Sequence, residues 1–235
     1  MIKDSTDLLV EQMLDLGMGE AAVDVTLTGL DVATSAMPIV GSLIKDWKIS
    51  RLKKRLNIVE PQLRDIKAKI DKKENDVFYK QELFPFVLKH LNEEDEDSKI
   101  PMYINGFEYT VDEGIEEMEM IYHYYDVLAE LRTSDIVRLF KRFTPGKKLR
   151  IDLYDPTKFD NDLEYRKKEL EKRTTEAYID NKLIRLHLAK VIVDDPVQKL
   201  LKMDSSSQKP TKYVLTNFGK RFVEFFSEDE NQPTL

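Results

Sequence analysis

The chain offers three histidines, His90, His123 and His187, and no cysteine. Without cysteine there is no thiol nucleophile, no thiolate zinc site and no disulfide scaffold, which suits a reducing compartment. The histidines lie far apart in sequence, without the spacing that sets two imidazoles on one metal. Asp194-Asp195 and the run Glu93 to Asp97 could attract a divalent cation, but charge runs of this kind are ordinarily solvated loops. The cluster Tyr122, His123, Tyr124 and Tyr125 falls at helical spacing, where such residues divide between core and surface. No glycine-rich phosphate loop and no serine nucleophile elbow is present. These residues predict no catalytic group, no metal and no cofactor, and point to an interaction or effector protein rather than an enzyme.

The elements that would carry such a function begin with a charge imbalance. The chain of 235 residues has a net charge of -7, yet Lys45 to Lys73 holds eleven Lys/Arg against four Asp/Glu, leaving the remainder at -14. A basic block of this kind can face anionic lipid, nucleic acid or the acidic parts of its own fold. Just before it, Ala21 to Ile44 contains no Lys, Arg, Glu, Asn or Gln, and only Asp24 and Asp31 are charged. As one helix this stretch would be about 36 Å long, against about 30 Å for a hydrocarbon core. Pro38, Gly29 and Gly41 favour a break.

On a helical wheel Asp24, Thr28, Asp31, Ser35 and Ser42 form one narrow polar stripe on an otherwise apolar surface. A central Asp costs about 2.5–3.5 kcal/mol on insertion, while each Leu, Ile or Val returns only about 0.3–0.6 kcal/mol. A constitutive single span is therefore disfavoured; insertion requires an oligomer that hides the stripe, and the resting segment is expected to pack within a soluble fold. Trp47, Lys48, Arg51, Lys53, Lys54 and Arg55 follow directly, an aromatic with cations of the type found at membrane interfaces. Packing against the rest of the chain is the alternative use of the same residues.

From Ile49 the apolar positions Leu52, Leu56, Val59, Leu63, Ile66 and Ile70 alternate at spacings of three and four, which predicts a long packed helix, kinked or restarted at Pro61. The middle of the chain reads as helical core with an acidic loop at Asn92 to Asp97 and a hairpin at Ile104-Asn105-Gly106-Phe107. Ile115, Met118, Tyr122, Tyr125 and Leu128 mark a helix. Thr133-Ser134-Asp135 caps the next, which ends at Thr144-Pro145-Gly146.

A charged helix from about Leu163 is followed by a second from Thr174 to His187. Then come the strand Val191-Ile192-Val193, a polar loop through Ser205-Ser206-Ser207, the strand Tyr213 to Thr216 and the helix Asn217 to Phe226. That order is the one found in a winged-helix half-domain. Thr216 should cap the last helix and Gly219 should permit close packing. The fold class is thus mainly α, a helical bundle with a C-terminal winged-helix-like α/β subdomain. Its expected divisions are 1–46, 47–157 and 158–235. Glu176 and Asp180 balance Lys182 and Arg185, and Glu228-Asp229-Glu230 follow, so protein contact is favoured over nucleic acid. Asp4 and Asp7 precede any apolar run, unlike a secretory signal.

The pattern Tyr213 to Phe226, the pieces Glu82-Leu83-Phe84-Pro85-Phe86 and Leu131-Arg132-Thr133-Ser134-Asp135-Ile136, and Met37-Pro38-Ile39-Val40-Gly41-Ser42 resemble the abortive-infection alpha-like family of prophage-borne proteins. Leu186-His187-Leu188 departs from the winged-helix pattern, where a glycine commonly sits. The resemblance implies anti-phage defence, in which an infected cell is stopped before phage release, with pore formation as one mode. It leads to the expectation of a cytoplasmic protein that senses a phage protein assembly, self-associates and permeabilises the cell membrane through anionic lipid contact. The alternative is a soluble winged-helix regulator or adaptor, using Tyr178, Lys182 and Arg185 for its partner and the basic helix for DNA or RNA.

Overall fold

A computed structural model describes Val10, Met13 and residues 38–144, 162–192 and 212–227 of the chain, with side chains from 47, 171 and 213 onward in the last three segments. Asp24, Thr28, Asp31 and Ser35 lie outside the described residues. So do Asp194-Asp195, the loop at Ser205-Ser206-Ser207 and the acidic tail; Ser42 falls outside the described side chains. The protein is mainly α, with a small antiparallel sheet near its C-terminus. It divides into two compact units, Met1–Glu130 with Phe225–Leu235, and Leu131–Glu224. In the first of these the basic helix and the helices that follow it share one core.

In the first unit, α1 (Pro38–Ile70) is a single helix that runs through Pro61 instead of restarting there. Its apolar seam explains why. Ile49, Leu52, Leu56, Val59, Leu63, Ile66 and Ile70 are all buried, whereas Pro61 is exposed on the opposite face. Burial of the seam outweighs the one hydrogen bond that a proline forfeits.

After a turn come α2 (Asp76–Phe78), a π-helical segment (Tyr79–Leu83) and α3 (Phe84–Glu93). Pro85 accounts for the widened turn: it has no N–H to offer and its ring crowds the carbonyl four residues back. The register slips, and the Phe84 N–H bonds the Tyr79 carbonyl. A 3-10 turn (Asp97–Lys99) leads into α4 (Ile100–Glu113).

The hairpin expected at Ile104-Asn105-Gly106-Phe107 is overturned, for these residues lie in the middle of α4. Gly106 serves close approach rather than a turn: a Cβ there would meet ring carbons of Phe225 and Phe226 at 2.6 and 2.7 Å. Asn105 donates to the Phe226 carbonyl at 3.3 Å. The residue that does turn the chain is Gly114, at φ 66°, with the Ile115 N–H closing back on the Thr110 carbonyl. Helix α5 (Met118–Glu130) buries Ile121, Tyr124, Tyr125 and Leu128, while Tyr122 and His123 are exposed.

The second unit begins with α6 (Thr133–Phe143), whose first turn is closed by the Asp135 carboxylate accepting the Arg132 N–H at 2.9 Å. The next element, α7 (Asp162–Arg185), is one helix where two were expected. Thr174-Thr175 suggested a new start, but the Thr175 hydroxyl donates back to the Glu171 carbonyl at 2.9 Å and so acts inside the helix instead of capping one.

At the end of α7 the chain turns through His187 at φ 57°, so this histidine takes the left-handed conformation for which glycine is the usual choice. β1 (Ala189–Ile192) and β2 (Lys212–Leu215) pair antiparallel, Ala189 opposite Leu215 and Val191 opposite Tyr213. Helix α8 (Asn217–Phe226) follows, its last two residues belonging to the first unit. Thr216 caps it as expected, accepting the Gly219 N–H at 2.9 Å. A Cβ at Gly219 would be driven into the Leu188 carbonyl.

Candidate functional site

Successive turns of α1 present Arg51, Lys54 and Arg55 toward the loop that joins α3 to α4. Arg55 sits one turn from both Leu52 and Val59 on the buried side of the helix and is 0% exposed. Such burial requires a full set of acceptors, because a guanidinium cannot discharge itself. Each of its three nitrogens has one: Nε and Nη2 donate to Asp97 Oδ1 at 2.9 and 2.6 Å, and Nη1 donates to the Leu91 carbonyl. Arg51 donates to the Glu94 carbonyl and lies 3.8 Å from the Asp95 carboxylate. Lys54 stands 3.8 Å from Asp97.

The loop is itself held from inside. Glu94 is buried against Lys99, which is 1% exposed, and accepts the Tyr103 hydroxyl at 2.7 Å and the Glu96 N–H at 2.8 Å. Burial alone would raise the Glu94 pKa, but the Lys99 ammonium and these hydrogen bonds hold it below its ordinary value. Asp97 is likewise lowered, chiefly by its hydrogen bonds from Arg55. Behind the loop, His90 packs on the rings of Phe86, Tyr103 and Tyr125. Burial there takes its pKa down to about 4, against an opposing pull from Asp126 and Glu94.

Of the residues expected at a membrane interface, two are therefore engaged internally. Arg55 is wholly buried and Arg51 is mostly covered, so neither is offered to a lipid surface in this conformation. Trp47 is 56% exposed, with the Arg51 guanidinium 5.0 Å from its ring centre. Lys54 is exposed, and Lys48 and Lys53 are partly so. The sequence reading missed Glu94, Asp97 and Lys99 as partners. The signal was present in the match between the basic block 45–73, for which acidic parts of the same fold were one expected partner, and the acidic run 93–97, which was read as a solvated loop.

The three residues assigned to partner binding part company on α7. Tyr178 and Arg185 are exposed, whereas the Lys182 ammonium is bonded to the buried Asp135 carboxylate at 2.6 Å. Beside it Asp180 accepts from Arg138, at 3.2 and 3.1 Å, and from Arg142. The Arg142 guanidinium also lies over the Tyr213 ring at 4.4 Å.

Among the described residues no three His, Asp or Glu side chains gather as a metal site would require, and no helix is long and apolar enough to cross a membrane. The described part of the apolar run is its end alone, Pro38 to Ile44. Comparison of the chain with protein-family models, with curated proteins and with solved structures finds no match to any of them.

Proposed function

We infer that this chain is a latent membrane-permeabilising effector of anti-phage abortive infection. The observation that carries the reading is the continuity of α1: the end of the apolar run and the cationic turns after it lie in one helix, and those turns are tied to an acidic loop. A helix held in this way is restrained at rest and can be freed by whatever displaces the loop. In this reading the resting protein is cytoplasmic, and a phage protein that is itself an assembly gathers several copies. Residues 21–44 then enter the cell membrane together, with Asp24, Thr28, Asp31, Ser35 and Ser42 turned toward water or sister helices. Self-association is required because a lone span would not recover the cost of Asp31.

The test is dye release from anionic liposomes, with and without lysate from infected cells, for the intact protein and for a deletion of residues 21–44. Release that needs the infected lysate and is lost on deletion is the expected result. No release from protein shown to be folded by circular dichroism, together with an intact membrane potential in infected, growth-arrested cells, overturns it.

A second reading is favoured by Tyr178, which is 68% exposed on α7 near the exposed Arg185. Here α7 is the docking helix of a soluble regulator or adaptor, with Lys182 joining only after its pair with Asp135 opens. A nucleic-acid partner would reveal itself by binding that weakens steeply with salt. A protein partner would be lost on Tyr178→Ala with little change in salt dependence.

A further inference from the structure

On α1, Trp47, Lys54 and Ile58 recur at i, i+7 and i+11, within about 40° of one another around the helix and spanning about 16 Å along it. All three are exposed, Trp47 and Ile58 each at 56%. Two large apolar side chains at the ends of a solvent-facing stripe, with a cation between them, are not explained by the core, which is served by the opposite face of the same helix. We propose that this stripe is an adsorption surface for anionic lipid headgroups.

Charge selects the occupant. From Trp47 to Val59 the helix carries no carboxylate, and with Arg51 and Arg55 engaged by the loop, Lys48, Lys53 and Lys54 are the cations left to face outward. The acids that face these turns from the neighbouring loop are Asp95 and Asp97, and Asp97 is engaged by Arg55. On α1 itself the acids flanking the stripe are Asp46, just before Trp47, and Glu60, which is bonded to Arg64 at 2.7 Å. An excess of cations rejects the same stripe of a second copy and attracts an anionic surface.

The apolar ends select a lipid interface. Indole settles at headgroup depth, Ile58 can enter the acyl boundary, and Lys54 between them can reach phosphate. The same helix continues backward from Trp47 into Pro38 to Ile44, so adsorption would lay the end of the apolar run against the bilayer. The proposal rests on the membrane reading above and names the surface by which the resting protein first meets lipid.

Trp47 is the single tryptophan of the chain, so its emission reports on this surface directly. The full-length protein is titrated with vesicles of phosphatidylglycerol and phosphatidylcholine, and with phosphatidylcholine alone. The expected result is a blue shift and quenching by brominated acyl chains on the anionic vesicles only, suppressed by high salt. Ile58→Asn and Lys54→Glu, both at exposed positions that keep Trp47, are each expected to weaken binding about tenfold.

An unshifted Trp47 on anionic vesicles overturns the proposal, as does binding that neither variant weakens. A blue shift with polyglutamate but not with vesicles also overturns it, and assigns the stripe to an acidic protein. Adsorption without dye release supports the stripe while removing permeabilisation. Dye release with Trp47 unshifted removes the stripe and leaves permeabilisation standing.

Discussion

The two units are each tied by an ionic cluster, but opposite partners are buried. In the first unit the buried member is the cation, Arg55 at 0% side-chain exposure, and its acid, Asp97, is 48% exposed. In the second unit the buried member is the anion, Asp180 at 8%, and its partners Arg138 and Arg142 are 23% and 28% exposed. The partners of the buried member decide what happens when one of them leaves. A buried guanidinium that loses its one carboxylate is left with a carbonyl alone, whereas Asp180 is shared by two guanidiniums and keeps one when the other is lost. The first cluster is therefore brittle toward loss of its loop acid, and the second has a reserve. The first cluster also joins a loop to a helix, so its failure frees a segment; the second joins helix to helix.

The largest expected effect follows from that asymmetry. Asp97→Ala leaves Arg55 buried with the Leu91 carbonyl as its remaining partner, and should destabilise the first unit by about 3 kcal/mol. Arg142→Ala leaves Asp180 with both of its hydrogen bonds from Arg138, and should cost the second unit about 1–2 kcal/mol. Urea unfolding followed by Trp47 emission reads the first, and hydrogen exchange of the α7 amides reads the second. Equal losses in the two units would remove the distinction between a buried cation and a buried anion.

The next effect in size contrasts two glycines. Gly219→Ala sets a methyl against the Leu188 carbonyl, which is backbone at the entry to β1 and cannot rotate away. Gly106→Ala sets one against the ring edges of Phe225 and Phe226, which can shift by small rotations. Overpacking costs about 1–3 kcal/mol, and Gly219→Ala should lie at the top of that range with Gly106→Ala near the bottom. The melting temperatures of the two variants rank them, and the reverse order would mean that the aromatic pair is the stiffer neighbour.

These same positions show which parts of the molecule were legible in the sequence. The seam from Ile49 to Ile70 was readable because periodicity reports one buried face, and the Thr216 cap with Gly219 was readable because both act locally. Asn105-Gly106 misled because a local turn signal and a long-range packing need look alike in sequence, and the rings that require Gly106 lie at Phe225 and Phe226. Arg55 was assigned to a surface from its residue type, although its spacing from Leu52 and Val59 put it on the buried side. For the candidate site, the sequence displayed the cations and the acids separately. Which of them meet depends on the path of the loop through Glu94 and Asp97, and that path is set by Lys99 and Tyr103 from within the core.

A pH titration sharpens the comparison last and most gently. Burial lowers the His90 pKa from its ordinary 6.5 to about 4, so the folded first unit keeps this imidazole neutral while the unfolded chain protonates it below 6.5. More protons on the unfolded chain mean that stability is complete above about pH 6.5 and falls as pH drops toward 4. His90 keeps partial contact with solvent, so the loss should be on the order of 2 kcal/mol. Glu94 and Asp97 are held below their ordinary carboxylate values of 4.5 and 3.8, so the stability they contribute is complete above about pH 5 and is lost progressively as pH falls below that. Arg138, raised by the hydrogen bonds it donates to Asp180, stays charged throughout and adds no slope to the second unit. Denaturation midpoints read by Trp47 emission should therefore decline already between pH 6.5 and about 5 in the native protein and stay level over that range in His90→Phe, both falling below it as the carboxylates protonate. A decline that survives the substitution would place the acid sensitivity elsewhere than in the ring cluster behind the loop.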